Sequence, residues 1–315
     1  MYHVLEQYLS VNQIAMVGVL VSFILTFLGL KFPFSFLPKD QGREFAVNGA
    51  LSKGKIRGVG LIFVSAFIIS CLLMIPFDRE FAIYCILLFA MMLSGYLDDA
   101  AKTPWSDYKK GAIDLVISIM TIVTFLNFNS SDLHIGEMVI HLPYPVYAIL
   151  GIILLWVSVN VTNCSDGVDG LCGSLSCVVM ASFAMIFTKE LGSYAMSALI
   201  FVAALLAYLC FNSKPSSMLM GDAGSRALGF FIAILAMKSG HPVIFVVLAL
   251  MLIIDGGLGL VKVFLLRFLK IHILKNTLTP IHDHVRKNMG WSDTQVVFRF
   301  CILQLLAAVV GYIIR

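Results

Sequence analysis

Ten apolar segments, separated by short polar stretches, run along the whole chain. Most of them approach the roughly 17–25 residues that a helix needs to cross a bilayer. They cover about residues 14–31, 58–76, 81–97, 112–128, 145–162, 172–188, 194–211, 226–238, 242–267 and 295–314. The pattern predicts an all-α integral membrane protein with about ten transmembrane helices in one polytopic domain, residues 1–315.

The ninth segment differs from the others, because it is too long for one straight crossing. Gly256, Gly257 and Gly259 interrupt it. We expect the helix to break at these glycines, with Lys262 and Arg267 carrying its second half toward the surface.

The connections between segments fall on two alternating sides, and the basic residues are divided unevenly between them. Of the 22 lysines and arginines, only Arg79, Lys189, Lys238 and Arg315 lie on the side that holds both termini. By the positive-inside rule the other side is cytoplasmic and both termini are outside. On the outer side, the weakly alternating stretch 129–144 predicts a small hairpin.

The composition agrees with a membrane protein, since 60% of the residues are hydrophobic and only 13% are charged. A soluble domain has nearer a quarter of charged residues. The expected partners therefore include membrane lipid and no nucleic acid. A secondary transporter is the alternative from another class, but no internal repeat is evident and the acidic residues gather at one face.

The central polar stretch is NVTNCSDGVDGLCGS, which begins at Asn160 and lies between two apolar segments. It carries Asn160, Asn163, Asp166 and Asp169 at intervals of three, which a helix would keep on one slowly drifting face. Gly167 and Gly170 indicate that the helix frays, so that the backbone approaches a ligand closely. The alternative is a polar loop between helices.

The stretch YLDDAAK ends the third segment. Asp98 and Asp99 are adjacent, and Lys102 lies one helical turn beyond Asp98. Neighbouring carboxylates bind a divalent cation, or one of them acts as a base. The alternative is a solvated helix end with an ion pair.

A third stretch, FNSKPSSMLMGDAGSRALG, contains Asp222 beside an expected helix start. A helix N-terminus holds an anion, while Asp222 holds a cation. Gly221 and Gly224 free the backbone, and we take Gly221 and Asn212 as candidate substrate-binding residues. The alternative is that Asp222 only caps the helix.

The remaining polar stretches are TPIHDHVRKNMGW and KGKIRG. His282 and His284 would diverge on a helix, whereas on a loop both point at one ligand, such as a phosphate oxygen. Lys53 opens the basic stretch, which either anchors a helix to anionic lipid or binds a phosphate. Asp114 and Asp255 lie near or inside apolar segments, and we assign them structural or supporting roles.

These cytoplasmic-side stretches combine hard oxygen ligands, cations and glycines without thiolates. Mg²⁺ with phosphates suits such a site, because Mg²⁺ takes one or two protein carboxylates and leaves the rest to phosphate and water. Phosphoryl transfer needs mainly positioning and charge neutralisation.

The motifs YLDDAAK, NVTNCSDGVDGL, MGDAGS and TPIHDH followed by MGW resemble, in order and spacing, those of the polyprenyl-phosphate N-acetylhexosamine-1-phosphate transferases. The resemblance covers nearly the whole chain. It implies a bacterial inner-membrane enzyme with a cytoplasmic active site, and a homodimer accords with it. The PIHDH and MGW pair favours the branch that converts a UDP-N-acetylmuramoyl-pentapeptide and undecaprenyl phosphate to lipid I and UMP, with Mg²⁺. The alternative branch transfers N-acetylglucosamine-1-phosphate for teichoic acid or O-antigen.

The resemblance also implies roles for single residues. Asp98 is the candidate base toward the lipid phosphate, with Asp99 beside it, and direct attack is favoured over a covalent intermediate. Asp222 matches the magnesium ligand. The residues implied to contribute to catalysis or to line the substrate site are Lys102, Asn163, Asp166, Asp169, His282 and His284.

Three positions depart from the family pattern. Asp283 occupies the middle of a histidine triplet, KGKIRGVG replaces a Thr-Pro-Thr-Met-Gly-Gly pattern, and Leu219 stands where an aromatic side chain often contacts the uracil. These departures concern the substrate contacts. They leave the acidic residues of the motifs unchanged.

Overall fold

All ten predicted apolar segments form helix in the computed structural model of this protein. The structure describes residues 1–32, 35–42, 52–76 and 78–315. Part of the first predicted cytoplasmic connection, which includes Arg43, lies outside these ranges.

Helices account for most of the described residues. In chain order they are α1 (Tyr2–Leu5), α2 (Val11–Lys31), α3 (Gly60–Met74), α4 (Arg79–Asp99), α5 (Asp107–Phe128), α6 (Tyr144–Cys164), α7 (Leu171–Ile186), α8 (Thr188–Leu191), α9 (Ser193–Asn212), α10 (Gly221–Lys238), a 3-10 turn (Pro242–Ile244), α11 (Phe245–Leu248), α12 (Leu250–Leu252), a π-helical turn (Ile253–Gly257), α13 (Leu258–Phe264), a second π-helical turn (Leu265–Leu269), α14 (Ile281–Met289) and α15 (Asp293–Ile314).

The described helices give a multi-pass membrane protein. Six of them, namely α2, α4, α5, α6, α9 and α15, are long and apolar enough to cross a membrane, and a bent helix pair makes a seventh candidate. Two shorter apolar helices, α3 and α7, accompany them. Helix length and composition thus support six or seven of the ten predicted spans.

Capping side chains fix where several long helices begin. Ser10 and Ser292 each accept a hydrogen bond from the backbone N–H three residues later and form a capping box. Ser106 accepts from Lys109 N, and Asp78 accepts from Glu80 N. These polar residues satisfy N–H groups that have no partner within the helix.

Helix α10 lies at the centre of the bundle. All its residues except Asp222 and Lys238 are buried, so other parts of the protein surround it on every side. A Cβ placed on Gly60 of α3 would lie 2.1 Å from Gly224 N, and one on Gly95 of α4 would lie 2.4 Å from Asp222 O. Glycine therefore lets α3 and α4 touch the backbone at the start of α10.

The opposite end of α10 is held by a polar cluster. Lys238 Nζ lies 2.8 Å from Glu80 Oε2 and donates to Asn129 Oδ1 at 2.7 Å. The Tyr84 hydroxyl donates to Glu80 Oε1 at 2.9 Å. This cluster joins α4, α5 and α10 at the end remote from Asp222.

The long ninth segment bends by 72° between Pro242–Leu248 and Leu250–Leu269. The expected break at the glycines is thus wrong in position, because the bend lies at Ala249. Gly256 instead allows a close helix contact, since a Cβ there would lie 2.4 Å from Val161 O of α6. Beyond the bend, Lys262 Nζ donates to Thr277 O at 2.8 Å.

The predicted hairpin in 129–144 is confirmed. Strand β1 (Asp132–Ile135) pairs antiparallel with β2 (Met138–His141), and Gly136 takes the positive φ of +57° in the turn. His134 N donates to Gly240 O at 3.0 Å, so the hairpin lies against the chain that leaves α10.

Candidate active site

The start of α10 meets the end of α4 at Asp99. The Asp99 side chain is fully buried, and Ala223 N donates to its Oδ2 at 3.2 Å. Gly221 has a φ of +67°, and a Cβ on it would lie only 2.2 Å from Asp99 Oδ2. Only glycine fits there, so Gly221 allows Asp99 to accept hydrogen bonds at the helix N-terminus.

Arg57 connects three carboxylates on separate parts of the chain. Its Nε donates to Asp99 Oδ1 at 2.8 Å, its Nη1 to Asp40 Oδ2 at 3.2 Å and its Nη2 to Asp222 Oδ1 at 3.4 Å. Burial lowers the pKa of Arg57, but the surrounding carboxylates, Asp99 first, raise it by more, so the pKa rises above its ordinary value. The guanidinium remains charged inside the acidic cluster.

Lys110 is the second cation of the cluster. It forms an ion pair with Asp98, and its Nζ lies 3.5 Å from Asp222 Oδ2. Trp105 N donates to Asp98 Oδ1 at 2.8 Å, which fixes the Asp98 carboxylate. Asp222 is thus flanked by Arg57 on one oxygen and by Lys110 on the other.

Lys102 does not occupy the place that helical spacing assigned to it. Helix α4 ends at Asp99, so the chain has left the helical register before residue 102. Lys102 is exposed, and within the described part of the chain it forms no ion pair. The lysine beside Asp98 is Lys110, from the first turn of α5.

Asp222 is the second residue of α10, whose N-cap is Met220. The interpretation of Asp222 as an N-cap is therefore wrong. Its carboxylate makes two long contacts, with Arg57 and Lys110, and a hydrogen bond with Asn163. Among the described residues, no three His, Cys, Asp or Glu side chains form a ready metal-binding group. Mg²⁺ needs only one or two protein carboxylates when phosphate and water complete its shell, so Asp222 fits such an ion.

The NVTNCSDGVDGLCGS stretch leaves the helix partway, as its glycines predicted. Helix α6 ends at Cys164, and Gly170 with a φ of +85° precedes α7. Asn163 Nδ2 donates to Ser225 Oγ of α10 at 2.9 Å. Asn160 Nδ2 donates to Trp156 O in its own helix at 2.8 Å.

Asp166 and Asp169 reach the cluster from the loop that follows α6. The charge of Asp166 contributes to the raised pKa of Arg57. Asp169 Oδ2 accepts from Ser216 N at 3.2 Å and lies 3.5 Å from Lys55 Nζ. The four regularly spaced residues therefore do not share one face, because the helix ends between the second and the third.

Asn212 is buried between two loops. Its Oδ1 accepts from Gly170 N at 2.9 Å, and its Nδ2 donates to Met218 O at 2.8 Å. These bonds use both ends of the amide. The structure therefore gives Asn212 the task of holding the loops on either side of the site.

His282 and His284 lie on α14 and not on a loop, so the expectation that both point at one ligand is wrong. His282 is buried, and its Nδ1 lies 2.9 Å from Asp255 Oδ2. His284 Nδ1 accepts from Leu278 N at 3.3 Å. Two residues apart on a helix, the rings diverge by about 200°.

The middle residue of the motif, Asp283, forms an ion pair on the same helix. Arg286 Nη2 donates to Asp283 Oδ1 at 2.6 Å, and Arg286 Nη1 donates to Asp293 Oδ1 at 3.0 Å. Asp293 also lies 2.6 Å from Lys214 Nζ. Asp283 therefore joins a chain of charges that connects α14, α15 and the loop after α9.

The basic stretch KGKIRG contributes Lys55 and Arg57, while Lys53 is exposed and forms no ion pair in the described part of the chain. Leu219 N donates to Ile56 O at 2.8 Å, which ties this stretch to the start of α10. Sequence reasoning pointed to the basic stretch but missed Arg57, Lys110 and the supporting Asp40. These residues lie outside the acidic motifs in the sequence, and no local pattern links them to the site.

Comparisons with known proteins agree with this geometry. The family model described as Glycosyl transferase family 4 matches residues 81–240, which include Asp98, Asp99 and Asp222. A relative from Treponema pallidum (strain Nichols), described as a phospho-N-acetylmuramoyl-pentapeptide-transferase, is 36% identical over 331 aligned positions, covering 98% of this chain and 90% of the relative. One of the same description from Dictyoglomus thermophilum is 29% identical, covering 93% and 96%.

Proposed function

Because this chain belongs to glycosyl transferase family 4 and to the family of the phospho-N-acetylmuramoyl-pentapeptide-transferases, we propose that it transfers phospho-N-acetylmuramoyl-pentapeptide from UDP to undecaprenyl phosphate. The products are lipid I and UMP, in peptidoglycan biosynthesis. The single observation that carries the proposal is the convergence of Asp98, Asp99 and Asp222 with Arg57 and Lys110 at the start of α10.

The reaction forms one phosphorus–oxygen bond and breaks another. An oxygen of the undecaprenyl phosphate attacks the phosphorus that carries the sugar, and UMP leaves with the electrons of the broken bond. Asp98 accepts a proton from the lipid phosphate, and Lys110, which forms an ion pair with it, supplies a positive charge beside the transferred proton.

The cations neutralise charge that the reaction concentrates. The diphosphate and the lipid phosphate are both anionic, so their approach requires positive charge that is already fixed in place. Arg57 and Lys110 supply it from two sides of Asp222. Asp222 would hold Mg²⁺, which polarises a phosphoryl oxygen when bound, and Asn163 would orient the Asp222 carboxylate.

The remaining site residues line the approach to this cluster. Asp166 and Asp169, on the loop after α6, would border the nucleotide, as the family resemblance implies. Lys53, Lys102 and His284 are solvent-accessible and suit contacts with the outer parts of the substrate. Asn160 has its amide committed to its own helix, so its contribution would be smaller.

We also propose ten crossings, with both termini outside and the active site on the cytoplasmic face of the bacterial inner membrane. The eighteen basic residues of one side support this topology. The acidic cluster belongs to that same side, since it joins the ends of α4 and α6 with the starts of α3, α5 and α10. Homodimerisation remains a prediction of the resemblance.

The test is an assay of UMP release by purified protein with undecaprenyl phosphate, Mg²⁺ and one sugar nucleotide at a time. We expect release with UDP-N-acetylmuramoyl-pentapeptide and none with UDP-N-acetylglucosamine. Release with UDP-N-acetylglucosamine alone would assign the chain to the teichoic acid or O-antigen type of reaction.

A further inference from the structure

Asp255 is a fully buried carboxylate inside a predicted membrane span. Its side chain is 0% exposed. Within the described residues no lysine or arginine lies within ion-pair distance, and the ionisable side chain that contacts it is His282. A buried charge is costly unless it is paired and hydrogen-bonded. The contact with His282 therefore offsets the cost of burying Asp255, and Asp255 in turn fixes the position of His282.

The backbone around Asp255 is fixed in two ways. Asp255 lies in the π-helical turn Ile253–Gly257, a local widening that is frequent at functional sites. The next residue, Gly256, packs directly on the backbone of Val161 in α6. The carboxylate is thus held relative to the helix that leads into the NVTNCSDGVDGLCGS stretch.

Asp255 binds both the backbone and the ring of His282. His282 N donates to Asp255 Oδ1 at 2.8 Å. Pro280, the N-cap residue of α14, makes no side-chain capping hydrogen bond. Asp255, which lies outside this helix, instead accepts from the free N–H of His282 in its first turn. The ring Nδ1 lies 3.0 Å from Oδ1 and 2.9 Å from Oδ2. A carboxylate only accepts, so Nδ1 carries the proton.

The other ring nitrogen faces the loop after α6. A Cβ on Gly167 would lie 2.2 Å from His282 Nε2 and 2.7 Å from its Cε1. Gly167 lies next to Asp166, whose charge acts on Arg57. Asp255 on one side and the bare backbone of Gly167 on the other thus confine the ring to one orientation.

We propose that Asp255 is a positioning residue. It keeps the proton on His282 Nδ1 and holds the ring against the backbone of Gly167, so that the loop carrying Asp166 keeps its place beside Arg57. The effect of this positioning on catalysis rests on the proposed function.

The direct test is nitrogen NMR of the protein carrying ¹⁵N-histidine, with the His282 signals assigned by their loss in His282→Gln. We expect wild-type protein to show a protonated Nδ1. In Asp255→Asn the amide NH₂ faces Nδ1 and the proton moves to Nε2, whereas Asp255→Glu restores the wild-type pattern. An Nε2–H tautomer in wild-type protein, or no change in Asp255→Asn, would overturn the proposal.

Kinetics give the second readout. Asp255→Asn should lower kcat/KM about 10- to 100-fold, by analogy with the loss of a partner that orients a metal-bound histidine, and Asp255→Glu should recover part of it. Unchanged kcat/KM in Asp255→Asn contradicts the proposal. Should the chain release no UMP from any sugar nucleotide, the proposed function fails while the NMR result still decides the role of Asp255.

Gly167→Ala tests the same orientation from the other side of the ring and covers the case in which Asp255→Asn does not fold. Its Cβ must displace Nε2, so kcat/KM should fall at least 10-fold and the His282 signals should shift. The matched control is Gly111→Ala, where a Cβ meets no atom within 4 Å. Equal behaviour of the two alanine variants would refute the confinement of the ring.

Discussion

Replacing Arg57 by methionine removes the cation that three carboxylates share. Asp99 is the most affected of these carboxylates, because its side chain is fully buried while that of Arg57 is 22% exposed. Loss of one preorganised charge at a phosphoryl-transfer site lowers turnover about 100- to 1000-fold. Since each tenfold step is about 1.4 kcal/mol, the change corresponds to about 3–4 kcal/mol of transition-state stabilisation.

The conservative variant separates charge from geometry. Arg57→Lys keeps the charge but loses the fork that reaches Asp99, Asp40 and Asp222 together, so it should recover only part of the loss. The assay is steady-state UMP release, with thermal unfolding of each variant measured in parallel. Lys39→Met is the matched control, because Lys39 is exposed and without an ion pair in the described part of the chain.

A comparison of Arg57→Met with Lys53→Met decides which basic residue of the KGKIRG stretch contributes to turnover. Lys53→Met should lower kcat/KM less than about 10-fold, because its ammonium is exposed and solvent-screened. A larger loss in Lys53→Met than in Arg57→Met would refute the reasoning from burial and contact distance. Equal, small losses in both would show that turnover does not require the charge of Arg57.

Three further predictions concern the carboxylates and their support. Asp98→Asn and Asp222→Asn should each nearly abolish UMP release while the unfolding temperature stays close to that of the parent; near-normal rates would contradict the assigned roles. Chelation should stop turnover and added Mg²⁺ should restore it, with the small residual turnover of Asp222→Asn needing more Mg²⁺ to reach half of its own maximum; indifference to chelation would argue against a metal. Gly221→Ala should destabilise the protein more than Gly290→Ala, as measured by thermal unfolding. Both glycines have a φ near +67°, but only at Gly221 does a Cβ meet Asp99; equal losses would leave backbone strain, about 1–2 kcal/mol, as the whole effect.

The apolar pattern predicted every long helix, because burial in lipid demands continuous apolar stretches and leaves little freedom in their placement. The prediction failed at a glycine, because glycine either breaks a helix or lets two helices pack closely. Gly256 was expected to break a helix, yet it brings two helices together, and only the neighbouring Val161 backbone reveals this. The bend at Ala249 has no glycine or proline at the bend itself to announce it.

The acidic motifs identified the site, but spacing along the chain misassigned its cations. Helical spacing predicts Lys102 beside Asp98, because a helix brings positions four apart together. The helix ends at Asp99, before it reaches residue 102. Lys110 takes that place only because the chain turns back at Trp105, whose N–H binds Asp98. Partners of this kind are set by tertiary contacts, which no local pattern contains.

The three carboxylates Asp98, Asp99 and Asp222 and the cation Arg57 stand on different supports, while the second cation, Lys110, belongs to α5. Asp98, Asp99 and Asp222 lie at the ends of α4 and α10, which glycine contacts hold together within the bundle. Arg57 and Lys55 extend from a connecting segment before α3. An incoming anion must separate arginine from carboxylates that cannot follow it, so ligand exchange is a rearrangement of the basic partners around a fixed acidic frame. The selectivity of the enzyme for its anions can therefore be altered through the connecting segment while the reacting carboxylates keep their places.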